Sequence, residues 1–328
     1  MTTRFSRFIL EYPGRLVMPI GVYGGLAITG ASVRQAVSDP HAQSEAVLAL
    51  HEKLHTPVML TAMDLSAESE AFGCTIRMEE EEIPTVIGRL VKTSEETAAL
   101  KVPLVGEKRT RVHLDTAGQL VKAHPGTPVL GGLIGPFSLA ARLFGVSETL
   151  ETTAVDPDLV HSLLEKATAF LTAYTQAFAA AGAWGVIMAE PAAGLLSPRS
   201  LSTFSAAYVR RIIEAVKTPN FTVVLHNCGA KIVHLPKVLE SEAEIYHFGA
   251  PMDLPAAFAQ IGDSPILCGN LDPSAVFHSG TADDVRREAK ALLQAVGPRK
   301  NFVLSSGCDI PPGTPIENLE ALYAAARG

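Results

Sequence analysis

Val223-Val224-Leu225-His226-Asn227-Cys228-Gly229 is an apolar, strand-like run that stops at metal-capable side chains beside a glycine. Leu304-Ser305-Ser306-Gly307-Cys308-Asp309 repeats the pattern far downstream. Residues two apart on a strand point to the same side, so His226 and Cys228 can face one point from a strand's end. Cys308 joins them if its strand lies nearby in the same sheet. Imidazole plus two thiolates is a common zinc donor set, and three protein ligands with an open fourth position is the catalytic form of the site. The plainer alternative is packing, with cysteine as a small buried hydrophobe and histidine as a satisfied polar group. The long separation of Cys308 from the close pair suits a catalytic site better than a closed structural one.

Working outward, the same strand-then-chemistry rhythm recurs. Residues 57–63 form an apolar run ending at Asp64, residues 129–134 one ending at Gly135-Pro136, and residues 184–189 one ending at Glu190-Pro191. Residues 244–248, 265–267 and 302–305 continue the series, the second leading into Cys268-Gly269-Asn270-Leu271-Asp272-Pro273. Residues 16–22 supply a first strand before the glycine-rich 21–25. Helical segments are expected at 32–37, 41–55, 138–144, 157–181, 282–296 and 315–326, with Asp39-Pro40, Asp156-Pro157 and Ser197-Pro198 as start signals. Residues 65–72 read as a short turn or helix. Residues 75–121 read as an excursion holding a hairpin or small subdomain.

About eight apolar strands, most followed by a helix, imply a parallel sheet with right-handed crossovers. In a chain of 328 residues this fits an α/β protein of the (β/α)8 TIM-barrel type, a single domain over 1–328, whose sites lie where strands end. An open doubly wound sheet is the weaker alternative, because Gly21, Gly24, Gly25 and Gly30 lack the G-x-G-x-x-G spacing after the first strand.

Composition narrows the function. Hydrophobic residues make up 47% and charged residues 19%, with a net charge of −7 and a pI of about 5.8. No basic excess is available to neutralise phosphates, which argues against nucleic-acid binding. Glu79 to Glu82, the densest charge run, reads as a solvated turn. Charges interrupt the N-terminal apolar residues, so no secretory signal is read, and residues 167–188 read as a helix followed by a buried strand, not a membrane span. A cytoplasmic location is expected, with Cys74, Cys228, Cys268 and Cys308 as thiols or ligands. No Ser-His-Asp elbow, P-loop or EF-hand loop is present.

The other candidates each have a structural alternative. Glu190 is a fourth metal ligand, a general base, or only a strand-end residue ahead of Pro191. Asp64 is a strand-end carboxylate of the same kind. Asp272 is either catalytic or a cap on the helix behind it. Asp309, directly after Cys308, is expected to orient a ligand. Cys74 and Cys268 read as packing residues, and His247 as a core or layer residue.

At these residues the chain resembles the uroporphyrinogen decarboxylase superfamily, and more narrowly its zinc-dependent corrinoid methyltransferases, such as methylcobalamin:coenzyme M methyltransferases. The carriers are the H-x-C pair His226 and Cys228, the S-S-G-C at Ser305 to Cys308, and Thr314-Pro315-Ile316-Glu317-Asn318-Leu319. Asp64 to Gly73, Glu190-Pro191 with Leu196-Ser197-Pro198, and Gly269-Asn270-Leu271-Asp272-Pro273 match in style. The resemblance implies a TIM barrel with zinc at the strand ends, on His226, Cys228, Cys308 and with Glu190 as a candidate fourth ligand. It further implies a cobamide docking over the barrel mouth, where Gly269, Asn270 and Asp309 are the expected cofactor-binding residues, while Glu190, Asp64 and Asp272 remain the candidate catalytic carboxylates from their strand-end positions. The chain contains no corrinoid-binding D-x-H-x-x-G, so the cobamide comes free or on a partner corrinoid protein. The expected small molecule is a thiol or a methylated substrate.

The expected reaction is attack of a zinc-activated thiol on a corrinoid methyl group. Two enzymatic alternatives stand beside it: zinc as a Lewis acid releasing a methyl group from an ether or amine to the corrinoid, and a metal-free decarboxylase. The decarboxylases carry an arginine-rich N-terminal segment, and residues 19–30 here contain no arginine. A non-catalytic barrel with structural zinc is the last alternative.

Overall fold

The structure, a computed structural model, describes residues 2–327; Met1 and Gly328 lie outside the described residues. Its centre is a curled parallel sheet built from β1 (Met59–Leu60), β4 (Val129–Ile134), β5 (Gly185–Ala189), β6 (Thr222–Asn227), β7 (Ile245–Phe248), β8 (Ile266–Leu271) and β9 (Phe302–Ser306), adjacent in that order. β2 (Thr75–Arg77) and β3 (Thr85–Ile87) form a separate antiparallel hairpin. β4, β5, β6, β7 and β9 are buried at every residue. That explains why they read as continuous apolar runs rather than as alternating ones: helices cover one face and the sheet's own interior fills the other. The result is the α/β TIM-barrel fold expected from the strand–helix rhythm, with a small hairpin attached. Among the described residues no helix is long and apolar enough to cross a membrane.

The helix starts are where capping chemistry puts them. Asp39, Asp156 and Ser197 each accept a hydrogen bond from the first turn, with Pro40, Pro157 and Pro198 following as the first helical residue. The exposed Glu79 to Glu82 run lies at the tip of the β2–β3 hairpin.

Four details differ from the sequence expectation. Residues 16–22 do not form a full strand: a single parallel bridge joins Val17 to Leu304 of β9, and the chain then turns into a short helical segment, Val22–Gly25. The glycines there serve packing, since a Cβ on Gly25 would lie 2.0 Å from the carbonyl oxygen of Ala46. β1 is shorter than expected because side chains take over its ladder, Gln43 Oε1 accepting from Ala62 N and Thr61 Oγ1 from Gly132 N. The excursion carries helices Ser94–Ala99 and Thr110–Ala123 after its hairpin, and helix Val146–Val155 was not foreseen. β8 continues through Gly269 and Asn270 to Leu271 instead of stopping at 267.

Candidate metal centre

His226 is the penultimate residue of β6, Cys228 follows that strand directly, and Cys308 lies two residues beyond β9. All three therefore sit at the C-terminal ends of parallel strands, where loops of a barrel converge. Close backbone approach brings them together. A Cβ on Gly249 would lie 2.1 Å from the carbonyl oxygen of Cys228, and one on Gly307 would lie 2.8 Å from Ala250 N. Side chains at either position would push the two cysteine-bearing loops away from β7.

One ligand atom from each of His226, Cys228 and Cys308 lies within 4.8 Å of the other two, the one such group among the described residues. His226 is 2% exposed. Its Nδ1 contacts His247 Nδ1 at 2.8 Å and the His247 carbonyl oxygen at 3.2 Å, whereas its Nε2 has no hydrogen-bond partner. Burial, and then the neighbouring His226, hold His247 well below the usual imidazole range. The two cysteines act on each other. The Cys308 thiol pulls Cys228 down to about 7, while Cys228 and burial push Cys308 up to about 12. The pair gives up one proton readily and needs a cation to give up the second. An orphaned imidazole nitrogen beside one easily formed thiolate and a second sulfur fits zinc well.

The group opens into a cavity of about 250 Å³, lined among others by Met63, Leu65, Ile83, Pro84, Arg142 and Asp309. Arg142 enters from helix Pro136–Phe144 and makes no ion pair with another described residue. Both carboxyl oxygens of Asp309 lack a hydrogen-bond partner, and burial, then Cys308, raises its pKa well above the usual carboxylate range.

The other expected site residues are placed differently. Glu190 is not part of the ligand group. Its fully buried carboxylate turns to the start of helix Pro136–Phe144 and accepts from Phe137 N, Ser138 N, Ser138 Oγ and Ser205 Oγ. This placement sets Glu190 apart from the three residues it was expected to join as a fourth ligand, and glycine at 135 leaves room for it, a Cβ there lying 2.4 Å from Glu190 Cγ. Burial raises its pKa, against the pull of these donors. Asp64 is buried and committed to Ser66 N, Ser66 Oγ and Arg109 Nη1. Arg109 also donates to Glu70 at 2.7 Å and Ser66 at 2.8 Å. Asp272 caps the turn behind it, its Oδ1 accepting from Ser274 N and Ala275 N, so the capping alternative describes its contacts. Gly269 packs against β7, where a Cβ would lie 2.6 Å from Phe248 O, and the Asn270 amide donates to Gly249 O and Met252 O. These contacts fix the β7–β8 loops and leave neither residue lining the cavity. Cys74 and Cys268 are buried away from the ligand group, with thiols raised by burial.

Sequence reading missed Arg109, Arg142 and the neighbour relation of His226 and His247. A lone arginine in the apolar Pro136-Phe137-Ser138-Leu139-Ala140-Ala141-Arg142-Leu143-Phe144 was the signal available for the second. Arg109 offered none.

The family model described as Uroporphyrinogen decarboxylase (URO-D) matches residues 19–328. The chain belongs to that family. Within it, the methylcobamide:CoM methyltransferase MtbA of Methanosarcina mazei is 30% identical, over 88% of this chain and 86% of its own. The methylated-thiol–coenzyme M methyltransferase of the same organism is 27% identical, over 92% and 81%. A solved methyltransferase structure from Methanosarcina mazei superposes with a TM-score of 0.89 at 27% identity, covering 99% of this chain and 98% of its own. This uroporphyrinogen decarboxylase family member thus shares both its fold and most of its length with methyltransferases.

Proposed function

We propose that this chain is a methyltransferase moving a methyl group between a corrinoid and a thiol, with zinc held by His226, Cys228 and Cys308. The observation that carries the reading is the convergence of an unpartnered imidazole nitrogen and two cysteine sulfurs beside one cavity. Relatives named for methylcobamide, coenzyme M and methylated thiols support a corrinoid and a thiol as the two sides of the transfer.

The chemistry zinc supplies when bound is to keep a coordinated thiol deprotonated near neutral pH, where a free thiol is mostly protonated. The chain's own residues do the rest. Neutral His226 with Cys228 and Cys308 as thiolates carries two negative charges, which balances a divalent cation and leaves an incoming sulfur electron-rich. Met63, Leu65, Ile83 and Pro84 give the cavity an apolar wall, in which charges interact more strongly than in water. Asp309, next to Cys308 and with both carboxyl oxygens unpartnered, lines the same cavity and is the polar group we place nearest the acceptor. Arg142 offers its guanidinium to an anionic group on the acceptor. The corrinoid arrives free or on a partner protein.

The test is the metal content of the purified protein, followed by titration with methylcobalamin and a panel of thiols. About one zinc per chain is expected, with the methylcobalamin spectrum lost only when thiol is added. Absence of zinc overturns the reading. Zinc without thiol-dependent demethylation turns it to the reverse direction, tested with cob(I)alamin and methyl ethers or amines.

A further inference from the structure

We infer that His247 and Ser305 are positioning residues that lock His226 in the tautomer presenting a bare Nε2 to the two cysteines. The inference deepens the proposed function and rests on its metal assignment only for the consequence, not for the tautomer.

A chain of buried contacts links His226, His247, Ser305 and Met18, and together they fix where each proton sits. A carbonyl oxygen can only accept, so the 3.2 Å contact of His226 Nδ1 with the His247 carbonyl oxygen requires the proton to be on His226 Nδ1. His247 Nδ1, 2.8 Å from the same nitrogen, must then be the acceptor. With Nδ1 bare, neutral His247 carries its proton on Nε2, which lies 2.8 Å from Ser305 Oγ. Ser305 can receive it, because its own hydroxyl proton is donated to the Met18 carbonyl oxygen at 2.6 Å. Both ends of the relay are thus anchored on backbone carbonyls, and no arrangement with the proton on His226 Nε2 satisfies it.

The barrel builds this relay. His226 and His247 are register partners on adjacent parallel strands β6 and β7. Ser305 stands on β9, with β8 between it and β7, and inward residues of alternate strands share a layer in such a barrel. Met18 belongs to the segment that bridges to β9. His247 is 0% exposed and Ser305 is 0% exposed, so water does not compete for these protons. In free histidine, Nε2–H is the tautomer that would have to be displaced before a metal could bind at Nε2; here that step is already done.

The decisive measurement is long-range proton–nitrogen NMR on metal-free protein with labelled histidine, which reads the tautomer without any metal or substrate. His226 is expected with its proton on Nδ1 and His247 with its proton on Nε2. The companion measurement is zinc affinity, by chelator competition, of Ser305→Ala, Ser305→Thr and His247→Phe. Ser305→Ala and His247→Phe are expected to weaken zinc about 10- to 100-fold, the usual cost of losing a residue that orients a metal-bound histidine, and Ser305→Thr to restore it. A wild-type His226 protonated on Nε2, or equal zinc affinity in Ser305→Ala and wild type, overturns the inference. The expected tautomer in a protein that binds no zinc would support the relay while refuting the methyl-transfer reading, so the two fail separately.

Discussion

Two groups of polar side chains stand at the C-terminal ends of the barrel strands, and they differ in one respect. Asp64, Glu70 and Glu190 are each met by donors: Ser66, Arg109, Phe137 N, Ser138 and Ser205. Around His226, Cys228, Cys308 and Asp309, atoms are left without partners. Leaving a buried polar atom unpaired costs about 1–3 kcal/mol; Glu68 Oε2 and both ring nitrogens of His113 also bear that cost, but only the His226 group adds a metal-capable donor set among the described residues. The saturated groups hold loops; the unsaturated group keeps donor atoms free that could hold a metal ion. Near-identical strand-end positions therefore support opposite uses, and the hydrogen-bond count distinguishes them.

Cys308→Ala breaks the comparison most sharply. It is expected to abolish bound zinc and turnover together while the fold, read by circular dichroism, stays intact; turnover retained by this variant would dissociate the unsaturated group from function. Arg109→Met attacks the other side. The Asp64 side chain is wholly buried and that of Arg109 is 9% exposed, and removing one partner of a buried pair strands the other charge at a cost of about 3–5 kcal/mol. Urea unfolding should show that loss with zinc content unchanged.

Much of this was legible beforehand, for a physical reason. Parallel strands buried on both faces must be continuous apolar runs, and the barrel puts chemistry at their ends, so His226, Cys228 and Cys308 stood out from their surroundings. Arg109 did not, because its partner Asp64 is 45 residues away and no local pattern announces a contact of that span. Glu190 and Asp272 were ambiguous for another reason. A carboxylate followed by proline at a strand end is equally good as ligand or as anchor for helix N–H groups, and only the direction of the side chain decides. His247, between Tyr246 and Phe248, read as core because register with β6 is a property of the sheet, not of its own strand.

Glu68 sharpens the comparison through pH. Burial pushes its carboxyl from the ordinary 4.5 up to about 8, against the hydrogen bond from Ile134 N. The folded chain therefore holds a proton that the unfolded chain releases in that window. The resulting stability is fully present below pH 4.5 and lost as pH rises to about 8, at a slope of at most about 1.4 kcal/mol per pH unit. Glu68→Gln, neutral in both states, should flatten this dependence in urea titrations run at several pH values; an unchanged slope would show that Glu68 is ionised in the folded chain.

Glu190→Gln has the smallest expected effect and decides the most contested assignment. The amide keeps one accepting oxygen for Phe137 N or Ser138 N and turns an NH2 toward the remaining donors, so a loss of about 1–2 kcal/mol is expected, toward the lower end for an unsatisfied buried group. Zinc stoichiometry and affinity should not change, because the side chain faces helix Pro136–Phe144 and stands outside the ligand group. If instead zinc affinity falls while stability holds, Glu190 must swing to the metal when one binds. The saturated group would then be a reserve of ligands, not a framework, and the distinction drawn from unpartnered atoms would fail at the residue where the two groups come closest in role.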